Sequence, residues 1–551
     1  MRPLHEVAPV LRQDVLAVAV CIPSLEAHTL PLMNPMDRRR FLLTSAAAAA
    51  SVKAFAQTPA QPHFVIPTLH FDKPGPTVPH NFIGLSYESQ QLSDPSFFSL
   101  ANTSLIARFD QLSPQGVLRI GGNTSDVGWW KPSPEAKQPP LPANVVLVPS
   151  RPGERPFQEL AYAITPEAIH NLRAFLDATG WTCLYGLNLG SSTPARAAEE
   201  AAFVAATLGS RLEYFQLGNE PDLFPARFRD KATWTVDRYL DEWLASANAV
   251  RERVPSARFG LPDTSGNPAW SSRVAERLYA LRSQNACPTI GAITHHYYFG
   301  GPPSNPKVNI DRLLHPDPRV ASVAATTRAA AQQLGVLYRM TEGNTCYKGG
   351  KPGVSDVFAS TLWAADYLLT LASYGYAGAN LHGGGGKAVA DSLGGTLPGE
   401  LLMADPKAPH PRPFYTPIAE RNGESVAEPI FFGMKFAGAF AGATLIPVDF
   451  DPGPVNAVAF AGRHPGHDLF ALINKDQTVP LFLDLNGDQA RPANQLATEP
   501  GWEPVQRLVA TSLTSTEVTL SPPAMATPDS QRPGPIAVPA GYAALFQRAR
   551  R

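Results

Sequence analysis

Eight short apolar runs punctuate residues 82–383, most separated by stretches long enough for a helix, and this alternation constrains the fold more than any other feature. The runs are "FIGLSYE" (82–88), "VLRIGG" (117–122), "CLYGLNLG" (183–190), "LEYFQLGNE" (212–220), "RFGLPD" (258–263), "AITHHYYF" (292–299), "VLYRMTE" (336–342) and "YAGANLHG" (376–383). In "TVDRYLDEWLASANAVRERV" (235–254), Tyr239, Trp243, Ala247, Val250 and Val254 repeat at three- and four-residue spacing, which predicts one buried helical face. "PARAAEEAAFVAATLG" (194–209) and "VSDVFASTLWAADYLLTLASYG" (354–375) read the same way, the second with Ser355 as its N-cap. Strands alternating with helices pair in parallel, and eight such units close into a (β/α)8 TIM barrel. The rival is an open doubly wound sheet. The barrel is preferred because polar residues gather at the C-terminal ends of nearly every run, and a barrel brings those ends to one face.

After about residue 430 the pattern changes to short strand-like runs such as "VNAVAFAG", "HDLFALINK" and "YAALFQR", broken by Gly, Pro, Asn and Asp. Helix-length periodicity is missing there, which predicts an all-β sandwich or small barrel. "HFVIPTLHF" (63–71) is a candidate extra strand for it. The chain thus divides into an N-terminal extension with an export signal (1–56), a linker or strand joining the sandwich (57–78), the barrel (79–430) and the β-sandwich (431–551).

The export signal is read from "MDRRRFLLTSAAAAASVKAFAQT" (36–58), which has a basic cluster, a Leu/Ala stretch and a small-residue "AFA" before Gln57. Arg38, Arg39 and Arg40 before Phe41 and Leu42 resemble a twin-arginine signal, so residues 36–56 predict a secreted or periplasmic protein. The stretch is short for a membrane span. Translation from Met36 would explain the odd preceding segment.

Composition excludes other classes. Hydrophobic residues make up 44% and charged residues 17%, which suits a large core and not a disordered chain. With 46 Lys and Arg against 47 Asp and Glu, charge gives no case for a nucleic-acid partner. The 56 prolines suggest long, rigid loops. Cys183, Cys287 and Cys346 have no CxxC spacing and read as free thiols, with one disulfide left open. Neither HExxH, a cysteine quartet nor GxSxG occurs, so zinc-protease and α/β-hydrolase readings have no motif. His295 and His296 are adjacent on a strand and cannot both line one site, which argues against a two-histidine metal centre. "GGGG" (383–386) lacks the Lys-Ser/Thr of a phosphate loop and reads as a flexible loop over the pocket. No metal or cofactor is expected.

The chemistry is carried by two glutamates. Glu220 in "LGNEP" and Glu342 in "MTEGN" end the fourth and seventh runs, so a barrel would face both into one pocket. Glycosidic bond cleavage needs such a pair, one carboxylic acid to protonate the leaving oxygen and one carboxylate to attack or stabilise the anomeric carbon. "NEP" followed half a barrel later by "TEG" resembles the clan A retaining glycosidases. That resemblance makes Glu220 the acid/base, Glu342 the nucleophile and Asn219 the partner of the sugar 2-hydroxyl.

"FIGLSYE", "LRIGGNTSD", "LGNEPDLF", "HHYY", "TEGNTCYKGG" and "YTPI" together resemble glycoside hydrolase family 79, the β-glucuronidases and heparanase, over about residues 60–551. The resemblance implies a carbohydrate substrate carrying glucuronic acid. It assigns the uronate carboxylate to Tyr347, Lys348, Gly349 and Gly350 after the nucleophile and to Tyr415 of "FYTPI". Glu88 and Asn123 would hold sugar hydroxyls, with Arg119, Tyr297 and His296 in support. Strand alternation lets only one of Tyr297 and Tyr298 point inward, and Tyr298 is preferred. Basic residues follow the fifth strand in heparanase; "DTSGNPAWSS" (263–272) has none, which disfavours a long sulfated glycosaminoglycan. Trp270 reads either as a sugar platform or as core. The expectation is a retaining exo-β-glucuronidase; the alternatives are a β-glucosidase, β-xylosidase or endo-acting heparanase-like hydrolase, or a non-catalytic carbohydrate-binding barrel.

Overall fold

In the computed structural model eight parallel strands close into a barrel: β1 (Ile83–Glu88), β2 (Val117–Gly121), β3 (Thr182–Leu187), β4 (Leu212–Leu217), β5 (Arg258–Thr264), β6 (Thr289–Tyr298), β7 (Leu337–Asn344) and β8 (Ala379–Gly383). Each strand pairs with its sequence neighbour and β8 pairs with β1, so the open-sheet rival is excluded. The structure describes residues 63–146, 157–404, 412–485, 501–522 and 535–550; the signal expected at 36–56 lies outside them. No helix among the described residues is long and apolar enough to cross a membrane.

The helices start where short polar caps meet proline. Thr165-Pro166, Thr193-Pro194, Asn267-Pro268 and Asp317-Pro318 each place a side-chain oxygen on a free backbone N–H, followed by a proline that needs no partner. Part of the proline excess therefore lies at helix starts and not in loops. Helix Val236–Arg253 buries Tyr239, Trp243, Ala247 and Val250 as its spacing requires. Trp270 is half-buried and packs on Tyr239 at the edge of the core, with ring centroids 5.4 Å apart.

Helix Phe358–Ser373 corrects one expectation. Its N-cap is Val357, which makes no side-chain cap bond. Ser355 instead accepts the backbone N–H of Lys351 at 2.9 Å and bonds the Thr345 hydroxyl at 2.8 Å, tying down the loop after β7. The "GGGG" segment is also more ordered than a free loop. Gly384 and Gly385 donate to Thr416 Oγ1 and Gln91 Oε1, and Gly386 opens the short helix Gly386–Ser392.

Beyond the barrel, helix Pro429–Gly438 comes first, followed by a six-stranded sheet built from Thr444–Ile446, Ala457–His464, His467–Asn474, Tyr542–Ala549, Glu503–Val509 and Thr519–Ser521. His63–Val65 pairs in parallel with Leu481–Leu483, and Thr68–Leu69 pairs antiparallel with Val448–Asp449. The sheet domain is fastened to the barrel through helix Phe358–Ser373: Phe358 and Ala359 donate to Ser515 and Leu513 carbonyls, and Lys475 pairs with Asp366 at 2.6 Å. Cys183, Cys287 and Cys346 are all free thiols.

Candidate active site

The strand ends converge on one buried cation. Arg119 of β2 donates through Nε to Gln216 Oε1 (2.9 Å) and through Nη1 to Glu342 Oε2 (2.7 Å) and Ser86 Oγ (3.1 Å). Its Nη2 donates to Asp263 Oδ2 (2.6 Å) and Asn219 Oδ1 (2.8 Å). One planar fork thus fixes side chains from β1, β4, β5, β7 and the turn after β4. Burial alone would lower the guanidinium pKa, but Asp263 and Glu342 hold the proton on more firmly than usual.

Glu342 lies near the C-terminal end of β7 and is 6% exposed. Besides Arg119 it accepts the Tyr298 hydroxyl on Oε1 at 2.9 Å, and His296 and His382 each stand 3.9 Å from Oε2. Burial pushes its pKa up; His382, His296, Arg119 and the Tyr298 hydroxyl more than reverse this and hold it at about 2. Glu342 is therefore a committed anion at neutral pH.

Glu220 follows β4 with φ +48°, a left-handed conformation that costs a residue with a side chain about 1–2 kcal/mol. Its N–H donates to the Asp263 carbonyl at 3.0 Å, and Asp263 itself has φ +58°. Two strained residues facing each other turn the Glu220 carboxyl toward His296, whose Nδ1 lies 3.1 Å from Oε1. One oxygen of Glu220, one of Glu342 and a His296 nitrogen all lie within 4.8 Å of one another. Three such atoms are near enough to share a metal ion. Burial lowers the His296 pKa, but Asp263 and Glu342 raise it further, to about 10, so with no ion present the surrounding carboxylates favour the imidazolium.

The remaining sequence candidates distribute around this pair. Glu88 ends β1, buried, with Oε2 accepting the Thr124 N–H (2.9 Å) and hydroxyl (2.7 Å) and Oε1 3.4 Å from His382 Nε2. Gly122, at φ +73°, is required here because a Cβ would come within 2.3 Å of the Glu88 carboxylate. The Asn123 amide oxygen accepts from Asn219 at 3.2 Å and from Arg227 at 2.5 Å. Tyr415 is buried, its ring 6.3 Å from Tyr298 and 5.9 Å from His382. The Tyr347 ring stands edge-on to Tyr298 at 6.3 Å and is 39% exposed. Lys348, Gly349 and Gly350 follow with φ of +63°, +86° and +86°. A Cβ on Gly350 would approach the Tyr415 nitrogen to 2.7 Å, so this turn admits only glycine there.

Tyr297 is corrected. Its ring lies against Tyr367 (6.2 Å) and under Arg319 (5.6 Å), on the side of β6 opposite Tyr298, and supports the helical layer instead of the pocket. His295 likewise turns away, to the Tyr376 hydroxyl at 2.8 Å.

Four site residues escape the sequence reading. Asp263 receives Arg119, Gln216 (2.6 Å) and Thr341, and its Oδ2 lies 3.1 Å from His296 Nε2 as an ion pair. Burial would raise its pKa, but Arg119 and His296 hold it far below the carboxylate range. His382 bridges Glu88 and Ser86, its pKa raised by Glu342 and Glu88 against burial. Gln216 links Arg119 to Asp263. Asp126 accepts backbone N–H groups of Leu189, Gly190 and Asn219, and burial raises its pKa to about 6 in spite of them. Asp263 and His382 could have been found by position, since "GLPD" and "NLHG" end strands as "GNE" and "TEG" do.

No family model matches the chain. It is 27% identical over 336 residues to a β-glucuronidase of Aspergillus niger (55% of this chain, 58% of that protein). It is 25% identical over 296 residues to a β-glucuronidase of Neurospora crassa (48% and 50%). The matches thus span about half the length of those relatives. Among solved structures it is similar to a 4-O-α-L-rhamnosyl-β-D-glucuronidase from Fusarium oxysporum 12S, bound to Rha-GlcA (TM-score 0.61, 17% identity, 88% of this chain, 99% of that one). A GH51 arabinofuranosidase from Xanthomonas axonopodis pv. citri follows with TM-score 0.59 and 15% identity over 88% of this chain and 99% of that one. At these identities the structural likeness shows the fold: a (β/α)8 barrel with an attached sheet domain, an architecture shared with glycosidases.

Proposed function

We propose that this protein is a retaining exo-β-glucuronidase that removes β-linked glucuronic acid from glycans or glucuronides. The observation that carries the reading is the pair of glutamates with oxygens within 4.8 Å, one of them a buried anion. Retaining enzymes hold their carboxyls about 5–5.5 Å apart, and inverting enzymes leave a wider gap for water. The sequence likeness to two β-glucuronidases supports the sugar.

Glu220 gives its proton to the glycosidic oxygen while Glu342 attacks the anomeric carbon. The C1–O bond breaks, the aglycone leaves as an alcohol, and a glycosyl ester forms on Glu342. Glu220, now ionised, takes a proton from water, whose oxygen attacks C1 and frees Glu342. Arg119 and Tyr298 hold the nucleophile. Asn219, bridged between Arg119 and Asn123, addresses the 2-hydroxyl. Support for a uronate comes from the turn after β7, where Lys348, Gly349 and Gly350 all take positive φ. Successive backbone N–H groups in such a turn suit an anion, and the Tyr347 and Tyr415 hydroxyls complete the carboxylate cradle.

The test compares wild type with Glu342→Gln on an aryl β-glucuronide: turnover should vanish in the variant, and near-wild-type turnover would refute the role. The likeness to an arabinofuranosidase favours a second reading, a glycosidase of a neutral sugar. Aryl β-glucoside and β-xyloside run beside the glucuronide separate the two. The signal at 36–56 makes the enzyme an exported one, tested by finding Gln57 at the mature N-terminus by mass spectrometry.

A further inference from the structure

Resting on that reading, we infer that the cleft between the loop after β6 and the turn after β7 holds the aglycone, and that its basic rim selects aglycones bearing a carboxylate. The topology says where the leaving group goes. Glu220 follows β4 and Glu342 lies on β7, so a group leaving between them has β5 and β6 on one side and β8, β1, β2 and β3 on the other. The longer arc carries residues assigned to the glucuronate ring: Tyr415 after β8, Glu88 on β1 and Asn123 after β2. On the shorter arc Asp263 of β5 is buried under Arg119 and Gln216. β6 instead ends in Tyr298, beside a cavity of about 490 Å3.

Tyr298 belongs to both chambers. Its hydroxyl donates to Glu342 Oε1 at 2.9 Å, and it lines the cavity together with Phe299 and Tyr347. The walls are fastened to each other. The Phe299 N–H donates to the Asn344 carbonyl (2.9 Å), the Tyr347 N–H to the Gly300 carbonyl (3.0 Å) and Lys351 Nζ to the Val308 carbonyl (2.6 Å). Aromatic walls with a few polar groups suit an aryl or sugar ring. The rim adds charge, from Lys307, Arg312 and Arg319. Both arginines pair with one carboxylate, Asp317, which is 2% exposed, whereas the Arg319 side chain is 62% exposed. Lys307 is exposed, and no carboxylate pairs with it among the described residues. One buried acid against three bases leaves positive charge for an anion to neutralise. That anion is not the glucuronate's own carboxylate, because Lys348, Gly349, Gly350 and Tyr415 of its proposed cradle do not line this cavity.

The test compares kcat/KM for two aryl β-glucuronides, one with a carboxylate meta to the glycosidic oxygen and one with a carboxamide there, in full-length wild type and Lys307→Glu. A second pair, glucuronate β-linked to galacturonate or to galactose, separates an acidic sugar from an aryl acid. Charge reversal should lower the acid-to-neutral ratio by roughly fivefold or more in at least one pair. The ratio cancels any general loss caused by the substitution. In wild type the same ratio should shrink as salt is raised. A ratio that Lys307→Glu leaves unmoved in both pairs overturns the proposal. Failure of wild type to cleave any glucuronide would remove the glucuronidase reading instead. The cavity is then judged by NMR titration with m-hydroxybenzoate and its amide: weaker binding of the acid to Lys307→Glu than to wild type supports the site, and equal binding overturns it.

Discussion

Replacing Arg119 with methionine keeps the side chain's length, removes its charge and leaves two buried carboxylates without the cation that hydrogen-bonds both. Asp263 keeps His296, Gln216 and Thr341, and Glu342 keeps Tyr298 and the two more distant histidines. Breaking one side of a buried ion pair costs about 3–5 kcal/mol. The Glu342 pKa sets the pH dependence. It lies near 2 in the fold, held down by His382 and His296 as well as Arg119. The unfolded value is about 4.3, and the whole depression of roughly 2 units corresponds to about 3 kcal/mol, of which Arg119 supplies only a part. Because the folded pKa is depressed, that stability is present above about pH 4.3 and fades as pH falls toward 2. Urea unfolding of both proteins at pH 7 should show a gap of about 3–5 kcal/mol. The gap should narrow as the buffer is taken down toward pH 3. A gap below about 1 kcal/mol, or one independent of pH, would refute the assignment of Arg119 as the electrostatic hub of the site.

Tyr298→Phe removes a charge-assisted hydrogen bond to Glu342, worth about 1.5–3 kcal/mol, so the acid limb of kcat/KM should rise by roughly 1–2 pH units and the thermal midpoint at neutral pH should fall with it. Gly350→Ala should raise KM for a glucuronide more than it lowers kcat, because a Cβ 2.7 Å from the Tyr415 nitrogen deforms the proposed carboxylate cradle; steady-state kinetics check this. Trp181→Ala should cost about 3–5 kcal/mol by chemical denaturation, since the indole is fully buried, packs 4.5 Å from Phe109 and donates to the Ser113 carbonyl.

The barrel was legible because its signal is periodic: eight apolar runs and their helices repeat the same physical problem, and each is solved by the same unit. The two glutamates were legible because they break an apolar run where a charge is expensive. Less legible were features decided across strands. Tyr297 and Tyr298 differ by one position, and alternation says that they diverge but not which one enters the pocket. Ser355 has the sequence context of a cap, yet its hydroxyl serves the neighbouring loop and the helix starts three residues later. Asp263 and His382 were passed over because neither carries a familiar motif; their importance comes from Arg119 and the glutamates, which are distant in sequence. A register shift between His295 and His296 in the pairing with β7 sets His296 opposite Glu342 and leaves no local trace at all.

The central claim is that Glu220 and Glu342 act across one sugar ring by two successive displacements. Proton NMR of an aryl β-glucuronide digest, recorded before the product mutarotates, tests it most directly. The account predicts that β-glucuronate appears first and the α-anomer only later. First appearance of α-glucuronate would mean single displacement by water and would contradict it.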